Sequence, residues 1–208
     1  MIDPNLFLLF LPGAVALGFM PGADMTFVLV QSVSRGPKAG IAASLGIFAG
    51  ALVHMTAAAF GLSALFAAAP LAFDIVRYAG AVYLVWIAFN MIRNPPHLAA
   101  QADPAASTRK AFRQGFLTNL MNPKVALFFI AFLPQFVSPT AGPAWIQILI
   151  LGITFNCIGT GANIAVSFGG GSIAARLRDN PLISKLIAWL AGSILIGLAV
   201  KLAWPDRK

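Results

Sequence analysis

The stretch that decides the fold is GFLTNLMNPKVALFFIAFLPQFV, residues 115–137, whose one charged residue, Lys124, directly follows Asn122-Pro123. A helix needs about 20 apolar residues to cross the hydrocarbon core of a bilayer, and this stretch is long enough. A proline inside a helix removes a backbone hydrogen bond and kinks or breaks the helix. By helix rise, Pro123 lies about 15 Å from Arg113, which puts the break well inside the bilayer. The stretch predicts a membrane span that is broken at depth.

A second stretch, GFMPGADMTFVLVQSV at residues 18–33, has the same pattern of Gly-Phe, a proline-containing break and an apolar run. Its break is Pro21-Gly22, and the charged Asp24 follows. Pro21 lies about 21 Å from Arg35 by helix rise, so this break is also inside the bilayer. Two related broken spans are therefore expected.

The composition requires contact with lipid. Of the 208 residues, 59% are hydrophobic and 10% are charged, whereas about 25% are charged in an ordinary soluble domain. A chain of this length has too little interior to hide that apolar excess. The net charge of +8 does not indicate a nucleic-acid partner, because the basic residues flank the apolar spans, where they set orientation. We predict an integral membrane protein.

Few residues are available for cofactor or redox chemistry. One cysteine, Cys157, excludes an internal disulfide, and two histidines without a dense carboxylate cluster leave no obvious metal cage. We expect no cofactor and no metal.

Six membrane spans account for the apolar runs. The uncharged run from Val125 to Ala175 would be about 76 Å long as one helix, so it must fold back, and residues 139–143 are the obvious turn. The predicted spans are about 5–33, 39–69, 71–92, 113–137, 144–170 and 182–204.

The predicted fold class is an all-α membrane protein with six transmembrane helices in two inverted three-helix repeats, the first helix of each half broken at proline. One domain covers residues 1–208, with repeat one at about 1–93, a cytoplasmic linker at about 94–112 and repeat two at about 113–208. Because three is odd, the halves insert in opposite directions. Inverted repeats are typical of transporters, with the binding site near the midplane where broken helices meet.

The basic residues predict the orientation. The loops after spans one, three and five hold nine of them, whereas the other side holds four. The two sets are Arg35, Lys38, Arg93, Arg109, Lys110, Arg113, Arg176, Arg178 and Lys185, against Arg77, Lys201, Arg207 and Lys208. The positive-inside rule then puts both termini outside the cytoplasmic membrane.

Asp24 and Lys124 are the two charges deepest in apolar sequence. A charge at the bilayer centre costs at least about 2.5–3.5 kcal/mol and usually faces a cavity or a partner. The helix dipole alone could explain Asp24, and Lys124 could snorkel to the cytoplasmic side. Lys124, however, follows an N-cap and N1 pair, where both the dipole and the membrane disfavour a positive charge. Its negative partner would be Asp24 or a substrate carboxylate.

Several polar residues at membrane depth could complete a site for a zwitterion. Asn119 and Asn122 could add hydrogen bonds, although asparagine also joins membrane helices structurally. His54 could relay a proton or bond across helices as a neutral ring. Asn156 belongs to a polar stripe with Thr160 and Asn163, one helical face that suggests a cavity wall.

The runs PGADMTFVLVQSVSRGPKAGIAASLGIFAGALVHMTAAAFGLSALF and FRQGFLTNLMNPKVALFFIAFLPQFV resemble the N-terminal half and the fourth span of the LysE/RhtB family of amino-acid exporters. AGAVYLVWIAFNMIR and LAGSILIGLAVKLA resemble its third and last spans. The resemblance implies proton-driven export of amino acids from the bacterial cytoplasm. Its shared elements fall on Pro21, Gly22, Asp24, Arg35, Gly36, Gly40, Gly115, Asn119, Asn122, Pro123 and Lys124. Ala23 stands where the family often has a second proline, and span five is the least family-like segment.

The leading hypothesis is a secondary active exporter of amino acids or close derivatives, proton-coupled and working by alternating access. Its partners would be an amino acid, protons and the lipid bilayer, and a homo-oligomer is left open. The alternatives are a passive channel or a helper subunit of a membrane complex. A membrane-embedded enzyme is less favoured, because it would need a nucleophile with a base, or a metal set. The predicted substrate and proton pathway comprises Pro21, Gly22, Asp24, His54, Asn119, Asn122, Pro123, Lys124 and Asn156.

Overall fold

The computed structural model describes residues 2–68, 107–179 and 181–203, together with some helical positions between 75 and 93. In these parts of the chain all regular structure is helical. This agrees with the expected all-α class.

The first predicted span is two helices. Helix α1 (Pro4–Gly18) begins with Pro4 at its first position, and the Asp3 side chain caps it by accepting from the backbone of Asn5 and Leu6. Helix α2 (Ala23–Arg35) follows at an angle of 49°. The break falls at residues 19–22, where the Pro21-Gly22 pair predicts it.

Helix α3 (Pro37–Ala68) follows α2 after one residue, Gly36, whose φ is 83°. Glycine adopts this left-handed conformation without steric cost, so the chain can reverse there. The Gly36 amide also donates to the carbonyl of Ser32 over 2.9 Å, which closes the end of α2.

The fourth predicted span is also broken. Helix α4 (Thr108–Leu120) has Met121 as its C-cap, and helix α5 (Pro123–Leu127) follows. The helical segment Lys124–Phe136 lies at an angle of 54° to α4. The chain then continues as a π-helical turn over Phe128–Phe132 and a 3₁₀ turn over Leu133–Phe136.

Residues 137–143 form the expected turn before helix α6 (Ala144–Asp179). The buried Gln147 side chain accepts from the Ser138 amide and donates to the carbonyls of Ser138 and Gly142, each over 2.9 Å. These bonds satisfy backbone groups that lipid could not. Helix α6 continues to Asp179, past the expected end near residue 170, and helix α7 (Pro181–Ala203) follows.

Helix α3 packs tightly against α4 through glycines. A Cβ added at Gly46 would collide with the Phe112 carbonyl oxygen, and one at Gly115 would collide with that of Ala43. Small residues that allow such close approach are a common means of helix association in membranes. A second contact region is a large apolar cluster between α1 and the residues that follow the fourth-span break. It is rich in aromatic rings, including Phe10, Phe128, Phe129, Phe132 and Phe136.

The described residues supply up to four membrane spans. Pro37–Leu62 and Ala144–Gly169 are each long and apolar enough to cross alone, and each bent pair qualifies as one broken span. The predicted third span, 71–92, lies mostly outside the described residues, and so does most of the linker at 94–112. Helix α7 coincides with the sixth predicted span. The six-span inverted repeat remains a prediction.

Candidate functional site

The two helix breaks meet in the interior. Asp24 lies in the first turn of α2, and its carboxylate accepts hydrogen bonds from both asparagines of the fourth-span break. The Asn119 amide donates to Oδ2 over 2.7 Å, and the Asn122 amide donates to Oδ1 over 3.2 Å. Both oxygens of the acid therefore have a donor from the opposite break.

Asn122 uses both ends of its side chain. While its amide nitrogen donates to Asp24, its Oδ1 accepts from the Lys124 backbone amide over 3.0 Å and so caps α5. Pro123 occupies the first position of α5, where its missing N–H leaves nothing unsatisfied. The expected N-cap and N1 pair is present, and it connects the start of α5 to the acid.

Lys124 extends toward the first break. Its side chain is partly buried, and Nζ lies 3.5 Å from where a Cβ on Gly22 would be. Gly22 precedes α2 in an extended conformation, and this N-cap residue has no side chain that could accept from the first-turn amides of α2. The ammonium, these amides and the Asp24 carboxylate border one space.

Asn119 connects this site to α3. Asn119 is 2% exposed, and its main-chain oxygen accepts from the backbone N–H of Asn122 over 2.9 Å. The imidazole Nε2 of His54 lies 3.2 Å from the same oxygen, and the ring stacks on Phe129. His54 therefore touches the site through Asn119 and lies behind the cavity wall.

The breaks enclose a cavity of about 80 Å3 with α3 and α6. About 10–15 Å3 of such cavity volume holds one water molecule, so the cavity has room for a molecule of amino-acid size. Its polar lining comprises Asp24, Asn119, Asn122, Lys124, Asn156, Thr160 and Asn163, and its apolar lining includes Leu17, Met25, Ile47, Val125, Phe128 and Phe155.

Helix α6 forms one wall, and the polar stripe expected there faces the cavity. The Asn156 amide also donates to the Phe48 carbonyl of α3 over 3.1 Å. The buried Oγ of Thr160 has no hydrogen-bond partner in the described part of the chain.

The structure therefore brings most of the predicted site residues together. Gly22, Asp24, Asn119, Asn122, Lys124 and Asn156 line the cavity, and Pro21, Pro123 and His54 lie at the breaks or behind the wall.

The sequence analysis did not identify the apolar part of the cavity lining, which includes Phe128, Phe155 and Gly159. The two rings stack with centroids 3.8 Å apart. Phe155 and Gly159 are one turn apart on the face that carries Asn156, which is the signal that could have found them. Phe128 had no such signal, since it stands among other phenylalanines.

The arrangement can hold a small molecule that carries both charges. A carboxylate, an ammonium and helix-terminal amides around one cavity offer partners for both charges of a zwitterion, while the aromatic pair offers an apolar surface. Within the described residues, no group of three histidine, cysteine or acidic side chains could hold a metal ion.

Broken helices around an internal polar cavity are typical of membrane transporters. The sequence pattern of the LysE type translocator family matches residues 15–205, and the chain belongs to this family. It is therefore a membrane translocator and not an enzyme.

Curated relatives cover nearly the whole chain. An uncharacterized membrane protein of Pseudomonas aeruginosa is 33% identical over 92% of this chain and 91% of its own length. Proteins named leucine efflux protein are 32% identical in an Enterobacter species, over 92% of both chains, and 30% identical in Klebsiella pneumoniae, over 95% of this chain and 94% of the relative. No solved structure matches the chain.

Proposed function

We propose that this protein exports amino acids with aliphatic side chains, leucine among them, across the bacterial cytoplasmic membrane. The observation that carries the proposal is the pairing of Asp24 with Asn119 and Asn122, beside Lys124, in a cavity between two helix breaks. The family membership and the relatives named leucine efflux protein support the substrate class.

The charges assign an orientation to the bound amino acid. Its carboxylate faces the Lys124 ammonium and the uncapped amides at the start of α2, since both favour a negative charge. Its ammonium faces the Asp24 carboxylate. The aliphatic side chain then contacts the apolar wall that contains Phe128 and Phe155.

Proton coupling follows from the use of one carboxylate for two cations. Asp24 binds the substrate ammonium when it is ionised, whereas a proton on Asp24 removes that attraction. Proton and substrate therefore compete, and inward movement of protons can drive outward movement of the amino acid. His54, which contacts Asn119, is the second member of the proposed proton pathway.

Alternating access is the proposed transport cycle. The two breaks belong to different halves of the chain, about 1–93 and 113–208, and relative movement of the halves would open the cavity first to the cytoplasm and then outward. We propose the inner membrane as the location, with both termini outside.

Counterflow in proteoliposomes tests the function. Vesicles that contain the purified protein are preloaded with one unlabelled amino acid and offered the same compound with a label. Saturable exchange of leucine and related amino acids is expected. Flux that rises without saturation would indicate a channel, and lack of any exchange by folded protein would overturn the proposal.

A further inference from the structure

We infer that Gly159 sets the size of the amino-acid side chain that the cavity accepts. The inference rests on the proposed function and adds a specificity-determining residue to the same site. Gly159 lines the cavity from α6, and a Cβ added there would meet no heavy atom of the described residues within 4 Å. A methyl group at this position would therefore displace none of these neighbours, and larger side chains would take up cavity space.

Close packing against α1 positions Gly159. A Cβ added at Gly18, at the end of α1, would lie 3.5 Å from the Gly159 Cα and 3.1 Å from the Ile158 side chain. The α6 backbone therefore packs closely against α1 at this level.

Gly159 lies beside the apolar part of the lining. Phe155 is one helical turn earlier on the same face, and its ring stacks on Phe128. The charged groups that would hold the substrate backbone, Asp24 and Lys124, come from other helices. A side chain at position 159 should therefore reduce the room for the substrate side chain and leave the charged groups unchanged.

Gly161 provides a matched control on the same helix. It is exposed, a Cβ added there also meets nothing within 4 Å in the described part of the chain, and it does not line the cavity. The pair therefore separates occupation of the cavity from the general effect of replacing a glycine in α6.

The experiment compares wild type with Gly159→Ala, Gly159→Val and Gly161→Val in the counterflow assay, with glycine, alanine, valine, leucine and phenylalanine as probes. A hydrophobic pocket discriminates one methylene by about 10–200-fold. We expect Gly159→Val to lower leucine exchange relative to alanine exchange at least about tenfold. Gly159→Ala should produce a smaller shift in the same direction, and Gly161→Val should leave the ratio unchanged.

The possible outcomes are distinguishable. Retained alanine exchange shows that Gly159→Val is folded. If Gly159→Val does not fold, Gly159→Ala serves as the test variant, because it adds only one methyl group. An unchanged ratio in Gly159→Ala and Gly159→Val, an equal loss for every probe in Gly159→Ala, or the same shift in Gly161→Val would overturn the inference alone. Lack of exchange by wild type would overturn the proposed function, and the inference with it.

Discussion

The side-chain amide of Asn119 donates to the carboxylate of Asp24 over 2.7 Å, although the two residues are 95 positions apart. One belongs to the helix that ends at the fourth-span break, and the other to the helix that begins after the first-span break. This bond therefore holds the two breaks together across the cavity. Any movement that separates the breaks must release it.

Replacement of Asn119 by alanine should weaken this connection and lower stability. A buried acceptor that loses a donor costs about 1–3 kcal/mol, which corresponds to a fall of several degrees in melting temperature for a chain of this size. Thermal unfolding of the detergent-purified protein measures the change. The control is Gln114→Ala on the exposed face of α4, and equal melting temperatures of the two variants would contradict the role of the bond.

Lys124 should recognise the substrate carboxylate. Lys124→Met is expected to reduce the preference for leucine over leucinamide by about ten- to a hundredfold, because a hydrogen bond to a charged group contributes about 1.5–3 kcal/mol. Competition by each compound in the counterflow assay gives the preference. Lys38→Met, at an exposed position in the first turn of α3, is the control. An undiminished preference in Lys124→Met would rule out this contact.

The α3–α4 contact should tolerate no side chain at Gly46. Its Cβ would collide with the Phe112 carbonyl oxygen, whereas a Cβ at Gly61 in the same helix meets none of the described residues within 4 Å. Gly46→Ala should therefore destabilise the protein by about 1–3 kcal/mol or more, and Gly61→Ala should not. Equal melting temperatures of these variants would show that the helices do not pack this closely.

The proposed orientation can be tested with single cysteines in a Cys157→Ser background, because the chain has one cysteine. Thr140→Cys, in the exposed turn before α6, should react with a membrane-impermeant maleimide in intact spheroplasts. Ser107→Cys, exposed at the start of α4, should react only after permeabilisation. The reverse pattern would place both termini in the cytoplasm.

The positions of the breaks could be predicted from the sequence. Proline removes a backbone donor wherever it lies in a helix, so the breaks at Pro21 and Pro123 do not depend on how the helices pack. The cap by Asn122 and the inward-facing stripe of Asn156 and Asn163 are equally local, since helical spacing decides which side chains share a face.

The contacts between the breaks could not be predicted in the same way. Which atoms of Asp24 and Asn119 meet depends on how the helices rotate and cross, and packing over their whole length decides that. The role of Gly159 was missed for a related reason: a residue without a side chain gives no polar or apolar signal. Phe128 was missed because at membrane depth the same residue type faces lipid and cavity alike.

The role of Asp24 in proton-coupled export is tested most directly by amino-acid flux in proteoliposomes with and without an imposed pH gradient, for wild type and Asp24→Asn. Asparagine keeps nearly the size of aspartate but carries no titratable proton and no negative charge. We expect the pH gradient to accelerate saturable leucine flux in wild type and to have no effect on leucine flux in Asp24→Asn. A variant whose leucine flux still responds to the gradient as wild type does would contradict the claim that Asp24 couples protons to export.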